Sequence, residues 1–269
     1  MSSPTSTPPA VASSAAGPPQ GARPPRGEGR AAPFWGGTLI APVRRFAAWR
    51  AVEGQHVVAT MALVDSLAEQ HALERILDDG KPPVPAEAAH LHYLLFTPFR
   101  YAPPPGGSRF RAPTDPGVFY GADAVRTACA ELGYWRWRHL ADTPALAAMP
   151  VRPQTVFRVK LAARTVDLRR PPYVSERAVW TDPADYAGCQ RVGRAAREAG
   201  VEAIRYESVR DPRHGGNCAV LAWSAFAEPA PVEAQTWSLA VTRERVVWQR
   251  ADPLGREAHE FAADLWRAR

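Results

Sequence analysis

Over residues 66–79 the apolar side chains Leu67, Leu73, Ile76 and Leu77 recur at helical spacing between polar neighbours. Ser66 and Glu69 form a capping box ahead of this stripe, and Gly80 with Pro82 ends it, so the pattern predicts a helix. A second stripe, Val125, Ala128, Cys129 and Leu132, predicts a helix from an N-cap at Asp123 to about His139. Asp182 and Pro183 predict the start of a third, with proline at the first helical position, and Gly200 closes it. Alternation of period two marks a strand over 155–161, which 165–168 continues or pairs with; shorter strands are expected over 118–120, 201–206 and 218–223. The runs 236–241 and 246–249 flank a turn at 242–245 and read as a hairpin, and an amphipathic stretch over 257–266 reads as a final short helix. Residues 34–58 are apolar but irregular. Helices and strands mix without a βαβ alternation, which predicts an α+β fold of mixed sheets with flanking helices.

Residues 1–33 break this pattern. They are Ser, Pro, Ala, Gly and Arg with almost no large apolar side chain, too little to offset ordering entropy, so a disordered tail is expected. The expected order after it is a helical region over 34–95 packed on the core, the core itself over 96–228, and a hairpin and helix over 229–269. Hydrophobic residues at 46% and charged residues at 22% of 269 suit a globular chain with a buried core. No apolar run approaches the roughly 20 residues of a membrane helix, and the first thirty residues lack the apolar stretch of a secretory signal. A cytoplasmic protein without a membrane partner is therefore expected. Cys129, Cys189 and Cys218 form no CxxC pair and are odd in number, which argues against a disulfide framework or a zinc knuckle.

The formal charge of +6 resembles a polyanion-binding signal until it is located. Residues 1–50 hold six arginines and a single acid, Glu28, and the rest of the chain is almost balanced. A nucleic-acid binder carries its excess on a folded face, so no direct nucleic-acid partner is expected. The only lysines are Lys81 and Lys160, a bias of composition rather than a basic patch.

Common catalytic signatures are missing. There is no phosphate loop of Walker or Rossmann spacing, no HExxH and no GxSxG elbow, and two histidines alone, His90 and His92, do not predict a metal site. What remains is a polar series in apolar surroundings. Arg100 and Tyr101 follow Thr97-Pro-Phe99; Arg109 lies in Gly107-Ser-Arg-Phe110; Tyr120 ends Gly117-Val-Phe-Tyr120; Glu131 ends Thr127-Ala-Cys-Ala-Glu131. Much later come Arg205-Tyr-Glu-Ser-Val-Arg210 and Gly215-Gly-Asn217. Taken singly, each has an ordinary structural reading: a solvated helix glutamate, turn arginines, a core-edge tyrosine, a turn serine.

In this order they resemble the RES-domain proteins, toxins of RES–Xre toxin–antitoxin pairs, over about 96 to 223. Glu53-Gly-Gln55, Leu63-Val-Asp-Ser66 and Glu69-Gln70 also look like longer members of that family. The resemblance implies a fold related to ADP-ribosyltransferase toxins, with the catalytic core over 96–228, and an activity that consumes NAD⁺. The nicotinamide–ribose bond would be cleaved by phosphorolysis or hydrolysis, or the ADP-ribose moved to a specific protein target. NAD⁺ would be the substrate, inorganic phosphate a co-substrate of the phosphorolytic route, and no cofactor or metal is implied. The implied partner is a small helical Xre-type antitoxin; a homo-oligomer is left open, as is a non-catalytic interaction module.

The residue types suit this chemistry. Guanidinium is the best planar cation for a diphosphate, which points to Arg100 and Arg109, with Arg210 third. Departure of nicotinamide leaves an oxocarbenium-like ribose that a carboxylate can stabilise, the role expected of Glu131. Tyr120 offers an aromatic face to the nicotinamide ring. Ser208 is expected at the amide, a phosphate oxygen or the incoming nucleophile, Asn217 at the loop or the ligand, and Tyr101 beside Arg100 in the binding set.

Overall fold

The structure is a computed structural model describing residues 41–54, 66–252 and 256–267. The expected tail over 1–33 lies outside the described residues. The observed fold is α+β, an eight-stranded mixed sheet with flanking helices.

The sheet is organised by its longest strand, β3 (Ala148–Asp167). Along its second half Phe157, Val159, Leu161 and Ala163 are buried while Arg158, Lys160 and Arg164 face outward, the period-two signature the sequence displays. The strand continues well beyond 155–161 on the N-terminal side, and 165–167 prolongs it rather than pairing with it. One edge is covered by β1 (Val43–Glu53), antiparallel and in register from Val43 opposite Arg164 to Glu53 opposite Gln154. This strand occupies 43–53 of the segment expected to be irregular over 34–58, so the region expected to be helical over 34–95 contains a strand. Its arginines and alanines give no clear alternation; pairing along the full edge of β3 supplies the order instead.

Strands β2 (Phe119–Ala122), β4 (Ala203–Glu207) and β5 (Gly216–Val220) complete a closed circuit. β1 meets β2, β2 pairs with β5, β5 with β4, and β4 runs parallel to the end of β3, which returns to β1. On the first half of β3 the sheet extends through β6 (Glu233–Thr242), β7 (Arg245–Arg250) and β8 (Ala258–Ala262). β8 occupies half of the stretch expected to be a terminal helix. Phe261 is buried from the strand, and only Asp264–Arg267 turn helical, as the short segment that carries buried Trp266.

Helix α1 (Leu67–Asp79) starts at the expected cap, where Ser66 Oγ accepts from the Glu69 amide at 3.2 Å. Helix α2 (Tyr93–Arg100) is capped by His92, whose Nδ1 accepts from the Leu94 amide. The 17-residue α3 (Val125–Ala141) packs between β1 and the β6–β8 layer. Its N-cap is Ala124 and not Asp123, whose carboxylate instead accepts from Arg205 and Arg169. Tyr134, Trp137 and Leu140 of α3 join Trp237, Trp248, Phe261 and Trp266 in one apolar cluster. After a single helical turn, α4 (Arg177–Trp180), helix α5 (Ala187–Glu198) begins later than Asp182-Pro183 suggested. Asp182 caps a local turn, accepting from the amides of Ala184 and Asp185. Gly200 ends the segment in the left-handed region at φ +66°, as its position implied. Among the described residues no helix is long and apolar enough to cross a membrane.

Candidate active site

A cavity of about 340 Å³ opens where β1, β2, the start of α3 and the loops after α2, α4 and β4 converge. Glu131, one and a half turns into α3, lies on its wall. One carboxylate oxygen, Oε1, accepts from Ser208 Oγ and from Asn217 Nδ2, each at 2.6 Å. Both donors are almost wholly buried. Oε2 has no hydrogen-bond partner among the described residues. The carboxylate is thus held at one oxygen and presented to the cavity with the other.

The loop carrying Ser208 is itself tied to α3. Asp211 accepts from Thr127 at 2.8 Å and pairs with Arg126 at 2.5 Å. Any side chain at Gly215 would meet Thr127 Oγ1 at 2.2 Å, so this close approach requires glycine. Ser208 Oγ also accepts from the amides of Arg210 and Asp211, at 3.2 and 3.0 Å. Its hydroxyl is therefore engaged within the protein, on Glu131 and two backbone amides, and Ser208 is not among the residues that line the cavity. Asn217 does reach the cavity wall, with its amide nitrogen on Glu131.

Arg109 is 7% exposed and lies on the cavity wall. Its Nη1 donates to the carbonyls of Trp180 and Asp182, at 3.0 and 2.9 Å, and the guanidinium stacks 4.6 Å from the Tyr186 ring. The two residues around it are fixed by Tyr120: the phenol oxygen accepts from the Phe110 amide at 2.9 Å and bonds Ser108 Oγ at 2.8 Å. Burial pushes the Tyr120 pKa up to about 12, only partly opposed by these hydrogen bonds, so the phenol is neutral at physiological pH. Its ring lines the cavity while its hydroxyl holds the Arg109 loop.

Arg210, third in the sequence ranking, is a full member of the wall. Its guanidinium lies 3.7 Å from the Tyr134 ring and donates to Pro183 O and Tyr186 Oη. Arg50 of β1 also lines the cavity, a residue the sequence reading passed over because it sits among other arginines in an irregular stretch. Burial lowers its pKa to about 10, which leaves it charged at neutral pH. None of Arg50, Arg109 and Arg210 is ion-paired among the described residues. With Glu131 the only carboxylate on the wall among the described residues, the cavity carries an excess of positive charge and suits an anionic ligand.

Arg100 and Tyr101 do not join this group. Arg100 is the last residue of α2 and its Nε donates to the Pro82 carbonyl; Tyr101 is 39% exposed, and neither lines the cavity. The chain turns away at Tyr101, so adjacency in sequence to the site loop does not become adjacency in space. Tyr186, Tyr206, Trp49 and Trp135 supply further aromatic wall. They come from four separate segments and carried no common spacing by which to find them.

The architecture defines an α+β protein whose cavity combines one anchored carboxylate, unpaired guanidinium groups and aromatic walls. The RES domain family model matches residues 84–242, and the chain belongs to the RES-domain family. No curated protein matches the sequence. Among solved structures, the M. tuberculosis MbcT–MbcA toxin–antitoxin complex is similar at 14% identity and a TM-score of 0.39, over 85% of this chain and 90% of that one.

Proposed function

We propose that this RES-domain protein is a toxin that cleaves the nicotinamide–ribose bond of NAD⁺, acting on the cytoplasmic pool and held in check by a small helical Xre-type antitoxin. The observation that carries the reading is Glu131, fixed by Ser208 and Asn217 inside a cavity whose other charges are unpaired arginines. The guanidinium groups receive the diphosphate, and the aromatic walls receive the flat rings. When the C1′–N bond breaks, both electrons leave with the nicotinamide, which becomes neutral, and C1′ takes on oxocarbenium character. The carboxylate of Glu131 stabilises that charge from a fixed position, so little reorganisation accompanies the reaction. A phosphate oxygen or water then bonds C1′; in the water case a proton is released.

The test is an NMR assay of NAD⁺ with purified protein, with and without phosphate. Release of nicotinamide is expected, with ADP-ribose 1″-phosphate as co-product if phosphate is the acceptor and ADP-ribose if water is. Glu131→Gln is expected to lower the rate by at least about 100-fold while the protein stays folded. Turnover at the wild-type rate by that variant would remove the assignment. ADP-ribose found by mass spectrometry on a cellular protein, in place of the free products, would identify a transferase instead.

A further inference from the structure

Tyr206 on β4 stands directly opposite Asn217 on β5, so the two side chains leave the sheet on one face, and both line the cavity. Both are almost wholly buried, and each carries a polar group that the protein leaves unused. Asn217 donates from Nδ2 to Glu131, while its Oδ1 is buried with no hydrogen-bond partner. A flipped amide would set that oxygen against the Glu131 carboxylate, so its orientation is fixed. The Tyr206 ring packs 4.8 Å from the Phe110 ring, yet its hydroxyl makes no hydrogen bond among the described residues. Burial, with the Glu131 carboxylate nearby, holds the Tyr206 pKa well above the ordinary 10.0, and the oxygen keeps its proton at neutral pH. Buried polar groups are nearly always paired, and those left over at a cavity wall mark where a ligand completes them. Here they are one acceptor and one free O–H donor. A primary carboxamide presents the complement in a single plane, an NH₂ that donates and a carbonyl that accepts.

We propose that Tyr206 and Asn217 read the carboxamide of nicotinamide: Asn217 Oδ1 accepts from the amide nitrogen and Tyr206 Oη donates to the amide oxygen. The site then takes the amide dinucleotide and rejects the form in which nicotinic acid replaces nicotinamide. This inference rests on the NAD⁺ reading above and adds the group by which the substrate is chosen. A carboxylate has no N–H for Asn217 and would bring a second negative charge toward Glu131. The competing reading is that Tyr206 only fills the wall by packing on Phe110. Turnover of NAD⁺ and of nicotinic acid adenine dinucleotide would be compared for the wild type and Tyr206→Phe, with nicotinamide and nicotinic acid as product inhibitors.

Phenylalanine keeps the ring and removes only a hydroxyl that bonds nothing in the protein, so the thermal midpoint is expected to stay at the wild-type value. The wild type is expected to favour NAD⁺ over the acid form by at least about 100-fold in kcat/KM. In Tyr206→Phe, kcat/KM for NAD⁺ falls about 10-fold and that for the acid form by less than about threefold, which narrows the preference. Nicotinamide inhibits the wild type more strongly than nicotinic acid and loses most of that advantage in the variant. A wild type without the preference overturns the proposal. So does a variant in which both substrates fall together or neither falls, which leaves Tyr206 as packing. If the variant shows no cooperative thermal transition, the product inhibitors of the wild type decide, since equal inhibition by acid and amide overturns the proposal. A wild-type protein that consumes neither dinucleotide removes the NAD⁺ reading itself and this inference with it.

Discussion

Ser208 illustrates how one buried hydroxyl serves both the site and the fold. It donates to Glu131 and accepts from two consecutive backbone amides, so its loss leaves those amides without an acceptor and Glu131 with only Asn217. Ser208→Ala is expected to cost about 1–3 kcal/mol in a urea unfolding titration. On the NAD⁺ reading it also lowers kcat by about 10- to 100-fold, with KM little changed, because the carboxylate is still present but less firmly held. Tyr120 predicts a pH effect. Its folded pKa of about 12 exceeds the ordinary 10.0, and Cys218 is likewise raised from 9.0 to about 12, both chiefly by burial. The folded state therefore favours the protonated forms, and their contribution is complete below about pH 9 and lost as the pH rises toward 12. Thermal midpoints are expected to be nearly flat from about pH 7 to 9 and to fall steeply above it. Tyr120→Phe reduces that alkaline slope, and it also frees the Arg109 loop at Ser108 and Phe110.

At the scale of elements, the contact that places Arg109 is the approach of α5 to the loop before β2. A Cβ at Gly193 would lie 2.5 Å from the Phe110 carbonyl oxygen, a backbone atom that cannot swing aside. Gln190, one turn earlier on α5, donates to the carbonyls of Gly106, Ser108 and Arg111 and so clamps the same loop. Gly193→Ala is expected to destabilise the protein by about 1–3 kcal/mol, read by thermal or urea unfolding, despite alanine's better helix propensity. A stabilised variant would show that helix and loop are less tightly packed than described. A helix ending at Gly200 is readable in sequence, but the role of Gly193 is not, because its neighbour is Phe110, on a separate loop. The same reason explains α3. Its sequence stripe shows one apolar face, whereas the helix is buried on a wider arc by Tyr134, Trp137 and Leu140 against the β6–β8 layer.

For the whole molecule, the decisive feature is the closed circuit of β1 to β5. The RES match spans 84–242, so it excludes β1, which pairs with β3 at eleven positions and meets β2 at Trp49 and Ala122. It also excludes β7, β8 and Trp266, whose indole N–H donates to the Arg210 carbonyl at 2.8 Å. A fragment of residues 84–242 is expected to lack a cooperative thermal transition by circular dichroism, because it exposes an edge of β3 and loses Trp248, Phe261 and Trp266, which bury Trp137 and Trp237 in one cluster. A fragment that melts cooperatively and binds ADP-ribose would show that the flanking strands are dispensable. β1 escaped sequence reading because half-buried positions in a strand that borrows its order from a partner do not alternate clearly. β8 was mistaken for helix because a short amphipathic run satisfies both periods.

What composition and periodicity decided here is local: the alternation of β3, the capped start of α1, the apolar stripe of α3 and the stop at Gly200. Each is carried by residues near one another in the chain. Convergence was decided by the folded structure. Glu131 meets Ser208 across 77 residues and Asn217 across 86, and Arg50 reaches Tyr120 across 70. Strand register and helix packing set such meetings, and a one-residue slip in register would turn those side chains to the opposite face. That is why the place of Arg50 on the cavity wall beside Glu131, Arg109 and Arg210, and of Arg100 away from it, is set by the closed sheet and not by order along the chain.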